Sequence, residues 1–233
     1  IMLVHTFGHP ADMDRIKQIA LSNKLYVIED AAPALGSRYK GRLVGTESDV
    51  SCFSFQGAKL TVSGEGGAIV TDNDELYKKL SLICSMGRTD SKAVFWSYQI
   101  GYQYTIANLT AALALAQVER IDELLDIKRV IHSMYRERLH PYSDRLQLID
   151  NAEGCSSNFC YPSLMLGDSV NTPRDHILHE LKLLNIHARP AFPRMSEFPV
   201  FEERHSNPVA KRVAARGISL PSAANLTVDD VNF

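Results

Sequence analysis

The chain has 233 residues, a formal net charge of -2, 45% hydrophobic and 22% charged residues, which is the balance of an ordinary enzyme. With no basic tail and no acidic block, the charge argues against electrostatic capture of nucleic acid or of an anionic membrane. No apolar run approaches the ~18 residues of a membrane helix, and Ile1-Met2-Leu3-Val4 lacks the basic start of a leader, so a cytoplasmic protein is expected.

Met2 to Phe7 is short and apolar and is followed by Gly8-His9-Pro10, which predicts a strand from Ile1 to Phe7 and its exit loop. From Asp12, apolar residues at Met13, Ile16, Ile19 and Ala20 follow helical spacing towards Lys24. Leu25-Tyr26-Val27-Ile28 predicts the next strand, and the resulting βαβ unit implies a parallel sheet. Ala31 to Leu35 suggests a helical turn, and Arg38 to Gly45 alternates around Lys40-Gly41 as a short hairpin does. Val50 to Phe55 predicts a strand, Gly64 to Gly67 a turn, Ala68 to Val70 another strand, and Asn73 to Gly87 an amphipathic helix.

Asp90 to Tyr104 is aromatic and irregular around Trp96, a composition that points to core or interface before a sugar platform. Ile106 to Tyr135 shows a long helical pattern, with a soft boundary near Ile121 that divides the chain into residues 1–120 and 121–233, the latter with a long helix. In the second part, strands are expected at Leu146 to Ile149 and Phe159 to Pro162, a helix from Pro173 to Leu183, and a last element at Ile186 to Pro190. That sequence of elements predicts a smaller α+β domain. The opening strand without a lead-in, and a helix signature that stops at Leu226 to Phe233, suggest that both ends are cut.

Chemistry concentrates between Val27 and Thr71. A strand ending in Asp30, a second delivering Ser54 and then Lys59, and a glycine turn gather an acid, a hydroxyl and an amine. Ligands of open α/β sheets bind beyond the carboxyl ends of the strands. A lysine and a buried acid are what pyridoxal 5'-phosphate (PLP) chemistry requires, one to bind the cofactor covalently and one to keep its ring nitrogen protonated. Cys52, Cys84, Cys155 and Cys160 form no Cys-x-x-Cys unit, so reduced thiols and no structural zinc are expected. His5, His9 and His187 show no ligand spacing and are read as structural or surface residues. Gly64 to Gly67 lacks the Lys-Ser/Thr ending of a phosphate-binding loop.

Glu29-Asp30-Ala31-Ala32, Gly36-Ser37 with Tyr39-Lys40-Gly41, Ser54-Phe55-x-x-x-Lys59, Gly64-Glu65-Gly66-Gly67 and Gln117-Val118-Glu119-Arg120 occur in one order, with His5 and Gly8 to Met13 ahead of them. In this the chain resembles the DegT-type PLP-dependent sugar-nucleotide aminotransferases, within the fold-type I aspartate aminotransferase superfamily. The resemblance covers nearly the whole chain. It implies an α/β fold with a mostly parallel central sheet, helices on both faces and a smaller C-terminal α+β domain. It also implies amino transfer from an amino acid such as glutamate to a nucleotide-linked keto-sugar, in a homodimer with shared active sites.

By the resemblance, Lys59 is the Schiff-base lysine and proton carrier, Asp30 pairs with the pyridinium nitrogen, and Ser54 binds the cofactor phosphate. Two positions depart from the family pattern. Pro33 replaces a Gln, His or Glu that can hydrogen-bond, and Gly101-Tyr102-Gln103-Tyr104-Thr105 carries Gln103 where an asparagine reaches the neighbouring subunit's cofactor. The family's upstream segment, with a phosphate-binding helix N-terminus and a ring-stacking aromatic, has no counterpart in this sequence. Two alternatives follow: a related sugar dehydratase, against which Lys59 argues because those relatives carry histidine there, and a catalytically silent partner protein, suggested by Pro33 and Gln103.

Overall fold

A computed structural model describes residues 1–88 and 95–232. In chain order the elements are β1 (Met2–Val4), α1 (Met13–Asn23), β2 (Ile28–Asp30), β3 (Arg38–Tyr39), β4 (Arg42–Leu43), β5 (Val50–Ser54), β6 (Gly67–Val70), α2 (Asp74–Cys84), α3 (Asn108–Val118) and α4 (Ile121–Leu139). There follow β7 (Leu146–Leu148), β8 (Cys155–Ser156), β9 (Ser163–Leu166), α5 (Arg174–Leu183), β10 (Arg189–Pro190), α6 (Pro208–Arg216), β11 (Gly217–Ser219) and α7 (Val228–Asn232). They form two compact units, Ile1–Leu125 with Ala152–Asn158, and Asp126–Asn151 with Phe159–Phe233.

In the first unit the main sheet has the order β1-β2-β5-β6. The first three strands run parallel and β6 returns antiparallel. Asp12 caps α1 by accepting the Arg15 N–H at 3.2 Å, and Lys24 ends the helix in the left-handed region. Its apolar stripe buries Met13 and Ala20 with Leu3, Val27 and Tyr39 against one face of the sheet. On the other face Met2, Val4, Ile28 and Ile69 are exposed in this chain. A small second sheet, β4-β3-β8, carries the Lys40-Gly41 turn.

The second unit holds an antiparallel sheet of order β10-β11-β9-β7. Leu164, Leu166 and Ile218 from its central strands are buried, with Leu139, Ile177 and Leu178 packed around them. Inside the same unit, the imidazole of His132 stacks on Phe159 with centroids 3.8 Å apart. Lys128 is buried, and its ammonium donates to the Ser222 carbonyl.

Several predicted boundaries are corrected. The first strand stops at Val4, because Thr6–Gly8 forms a 3-10 turn with Phe7 at φ 57°. The strand placed at Leu25 to Ile28 begins only at Ile28, since the Val27 N–H is taken by the Asp49 carboxylate at 2.7 Å. The long helical stretch is divided at Glu119-Arg120, beside the soft boundary at Ile121, into α3 and α4. Phe159 to Pro162 is not a strand: Phe159 has φ 48°, and pairing starts after Pro162, which has no N–H to donate. The chain also continues into α6 and β11 past the last predicted element. Part of the aromatic stretch, residues 90–94, lies outside the described residues, as does Phe233.

Candidate active site

The parallel register aligns the carboxyl ends of three strands. Val4 pairs with Asp30, Asp30 with Cys52, and Cys52 with Ile69 across the sheet. Because side chains alternate along a strand, Asp30 shares a face with Val4, Cys52 and Ile69. Two residues further along β5, Ser54 pairs with Gly67. Asp30 and Ser54 therefore lie at one sheet edge, and the loop between β5 and β6, which carries Lys59, leaves from that same edge. Two of the predicted residues and the loop that carries the third thus belong to one end of one sheet, the end at which ligands of such sheets bind.

Each is held locally. Asp30 Oδ1 accepts the Ala32 N–H at 3.1 Å, and the Ala31 N–H donates to the Cys52 carbonyl at 2.9 Å. Ser54 Oγ accepts the Gln56 N–H at 3.3 Å. The Lys59 loop is stitched by its own backbone: Lys59 N–H to Gln56 O at 2.9 Å, Ser63 N–H to Phe55 O at 2.9 Å, and Phe55 N–H to Gly66 O at 3.0 Å. Leu60 and Thr61, next to the lysine, are buried. A half-buried Lys59 thus projects from a loop with anchored shoulders, which limits the entropy lost on engaging a ligand. Burial, and then the neighbouring Asp30 carboxylate, push the Cys52 thiol up from its ordinary value.

Sequence reasoning missed the polar groups beneath Asp30. Glu29, on the opposite face of β2, is fully buried, as is His5. His5 Nε2 lies 2.9 Å from Glu29 Oε2, and His5 Nδ1 accepts the Ala11 N–H at 3.0 Å. The ring is therefore neutral with its proton on Nε2. Glu29 also accepts the Gly45 N–H at 2.8 Å, the Glu47 N–H at 3.2 Å and the Ser51 hydroxyl at 3.4 Å. Burial pushes the Glu29 carboxyl up, but the hydrogen bonds from His5 and Gly45 outweigh it, and the net shift is downward. The available signal was a charged residue inside the apolar run Val27-Ile28-Glu29-Asp30.

Asn158 is a second omission. Its side-chain amide donates to the carbonyls of Pro33 and Leu35 at 3.0 and 3.1 Å, and its N–H donates to Ser37 Oγ at 2.9 Å. It thereby locks the turn after Asp30, with Pro33 contributing a carbonyl where its ring can contribute no side-chain donor. Gln103 donates to Thr105 Oγ1 at 2.7 Å. Backbone bonds from Tyr102 to Ile83 and from Tyr104 to Cys84 tie its segment to the end of α2, yet the aromatic side chains stay outside: Trp96 is 60% and Tyr104 69% exposed. Among the described residues no group of three or more His, Cys, Asp or Glu is placed to hold a metal ion. No helix among them is long and apolar enough to cross a membrane.

Residues 1–232 match the sequence pattern of the DegT/DnrJ/EryC1/StrS aminotransferase family. The chain belongs to that family. The DegT-type chain is 35% identical over 236 residues to GDP-perosamine synthase of Escherichia coli O157:H7, and 34% identical over 234 residues to that of Caulobacter vibrioides. Each alignment covers 100% of this chain but 63% of the relative, so the chain spans less than two thirds of the length of these proteins. Among solved structures, DesI determined in the presence of its TDP-sugar product superimposes with a TM-score of 0.89 at 28% identity, over 99% of this chain and 59% of that one. PseC of Helicobacter pylori gives a TM-score of 0.92 at 24% identity, over 100% of this chain and 63% of that one, a likeness of fold. The fold is that of the fold-type I aminotransferases.

Proposed function

We propose that the full-length protein is a PLP-dependent aminotransferase that moves an amino group from an amino acid, with glutamate as the expected donor, to a nucleotide-linked keto-sugar. The reading rests above all on Asp30 and Ser54 lying at one end of the sheet from which the Lys59 loop departs, in a chain of this family. The names of relatives support the substrate class: GDP-perosamine synthases, and a UDP-sugar transaminase of Campylobacter jejuni 30% identical over 200 residues.

The donor set fits the cofactor. PLP offers an aldehyde, a ring nitrogen that is basic and a phosphate, and the site offers an amine, a carboxylate and a hydroxyl. When bound, PLP supplies an electron sink for the bond being broken at the amino-bearing carbon. Asp30 would hold a proton on the ring nitrogen: its Oδ1 accepts the Ala32 N–H, and a carboxylate accepts several hydrogen bonds, which leaves Oδ2 able to accept a ring N–H. Ser54, whose Oγ accepts the Gln56 N–H, would donate its hydroxyl hydrogen to a phosphate oxygen. Lys59 would provide the amine that holds the cofactor and, when free, a group able to carry a proton.

The same reading makes the functional unit a cytoplasmic homodimer with shared sites. Supporting it, α3 is largely apolar yet buries only Ala114, Leu109 is 85% exposed, and Tyr98, Tyr102 and Tyr104 are exposed as well. Helices of that composition are buried in a finished assembly, and Gln103 of such a segment can serve the partner's cofactor. The test is mass spectrometry of the full-length protein incubated with PLP, glutamate and GDP-, UDP- and TDP-linked keto-sugars. Formation of an amino-sugar nucleotide together with 2-oxoglutarate is expected. A protein that binds PLP but aminates none of them, with any amino acid donor, would instead fit a silent family member.

A further inference from the structure

The buried His5–Glu29 pair takes no part in the chemistry above, and its place in the sheet calls for an explanation. A carboxylate with no exposure is costly unless every lone pair is met. Here four donors from three segments converge on Glu29: the His5 ring, the N–H groups of Gly45 and Glu47, and the Ser51 hydroxyl. The ring that donates to it is itself oriented by the Ala11 N–H. The pair thus ties the exit of β1, strand β2, strand β5 and the loop before it into one polar knot.

That knot lies directly behind Asp30. Glu29 precedes Asp30 and points to the opposite face of β2, so anything that fixes one fixes the other's backbone. The His5 N–H donates to the Asp30 carbonyl at 3.2 Å. Through Gly45 and Glu47, Glu29 also holds the loop whose Val44 packs on Ala31 and Ala34, the residues that shape the turn bearing the Ala32 N–H. We propose that His5 and Glu29 are positioning residues for Asp30, holding its carboxylate at the angle and distance that the PLP ring nitrogen requires. Charge-assisted hydrogen bonds depend on such geometry, and a site left loose by its supporting groups loses binding although every contacting residue is present. The inference rests on the functional reading above.

The test is a double-mutant cycle in the full-length protein, read as PLP affinity of the cofactor-free form by equilibrium dialysis. His5→Phe keeps the ring and removes both hydrogen bonds. It is expected to weaken PLP binding by about tenfold or more in the presence of Asp30, and by less than about threefold when Asp30 is already Asn. His5→Gln, whose amide can still donate to Glu29, is expected to recover most of the loss. A merely structural role predicts equal losses in both backgrounds, and that additivity would overturn the proposal, as would unchanged affinity in His5→Phe. If His5→Phe does not fold, Glu29→Gln gives the same comparison, since its amide NH2 replaces one carboxylate oxygen and meets donors there, either His5 and Gly45 or Glu47 and Ser51. Failure of the unaltered protein to bind PLP at all would contradict the functional reading itself, a result separable from additivity.

Discussion

Replacing Gly45 by Ala tests how tightly the loop behind Asp30 is built, and Gly41→Ala supplies its control. Both glycines have positive φ, +93° and +80°, in a region an L-residue enters at a cost of about 1–2 kcal/mol. At Gly41, in the turn between β3 and β4, an added Cβ meets nothing within 4 Å, so that backbone cost is all. At Gly45 the Cβ would lie 2.3 Å from Phe53 Cζ, and the ring cannot simply withdraw because it packs on Ala31, Ala34 and Val44. Overpacking of this kind adds about 1–3 kcal/mol, giving about 2–5 kcal/mol for Gly45→Ala against about 1–2 for Gly41→Ala. Any displacement also pulls the Gly45 N–H from Glu29, 2.8 Å away. Urea denaturation of the two variants beside the parent, at equal slopes, measures the difference. Equal midpoints for the two variants would refute the packing argument.

Other expectations concern charge, catalysis and assembly. Asp30→Asn removes the anion behind the ring nitrogen, and amino transfer should fall by several orders of magnitude, each tenfold being about 1.4 kcal/mol; a variant within a few-fold of the parent would remove the electron-sink argument. Glu29 has a folded-state value below its ordinary 4.5, so its stabilisation is present above that value and is lost as pH falls through the lower folded value. The stability gap between the parent and Glu29→Gln should therefore narrow as pH drops below about 4.5, and a gap independent of pH in urea titrations would contradict the ionised, hydrogen-bonded carboxylate. Light scattering of the full-length protein at micromolar concentration should give a dimer, whereas an active monomer would sink the shared site.

The placement of Asp30 and Ser54 was legible because both close apolar runs, where strand alternation and parallel order dictate a common end of the sheet, and Lys59 follows in the loop after Ser54. The helices α1 and α2 were legible for a similar reason, since Asp12 and Asn73 cap them ahead of clear apolar spacing. What escaped depends on contacts distant in sequence. No Gly or Pro marks the break between α3 and α4, where the sequence offered only the charged run Glu119 to Glu123 as a soft boundary. Just past the end of β1, the His5 ring is caught by Glu29, 24 residues away. Asn158 locks the turn after Asp30 from 125 residues away at Pro33. Helix α6 did carry a signal, Pro208 at its first position after Asn207, but β11 is three residues long and owes its existence to pairing with β9 and β10.

The central claim, that Lys59 is the amine holding the cofactor, is tested most directly by borohydride reduction of the full-length protein with PLP, followed by peptide mass spectrometry. A phosphopyridoxyl group on Lys59, absent in Lys59→Ala together with amino transfer, is the expected result. Label on a different lysine, or normal turnover by Lys59→Ala, would contradict the account.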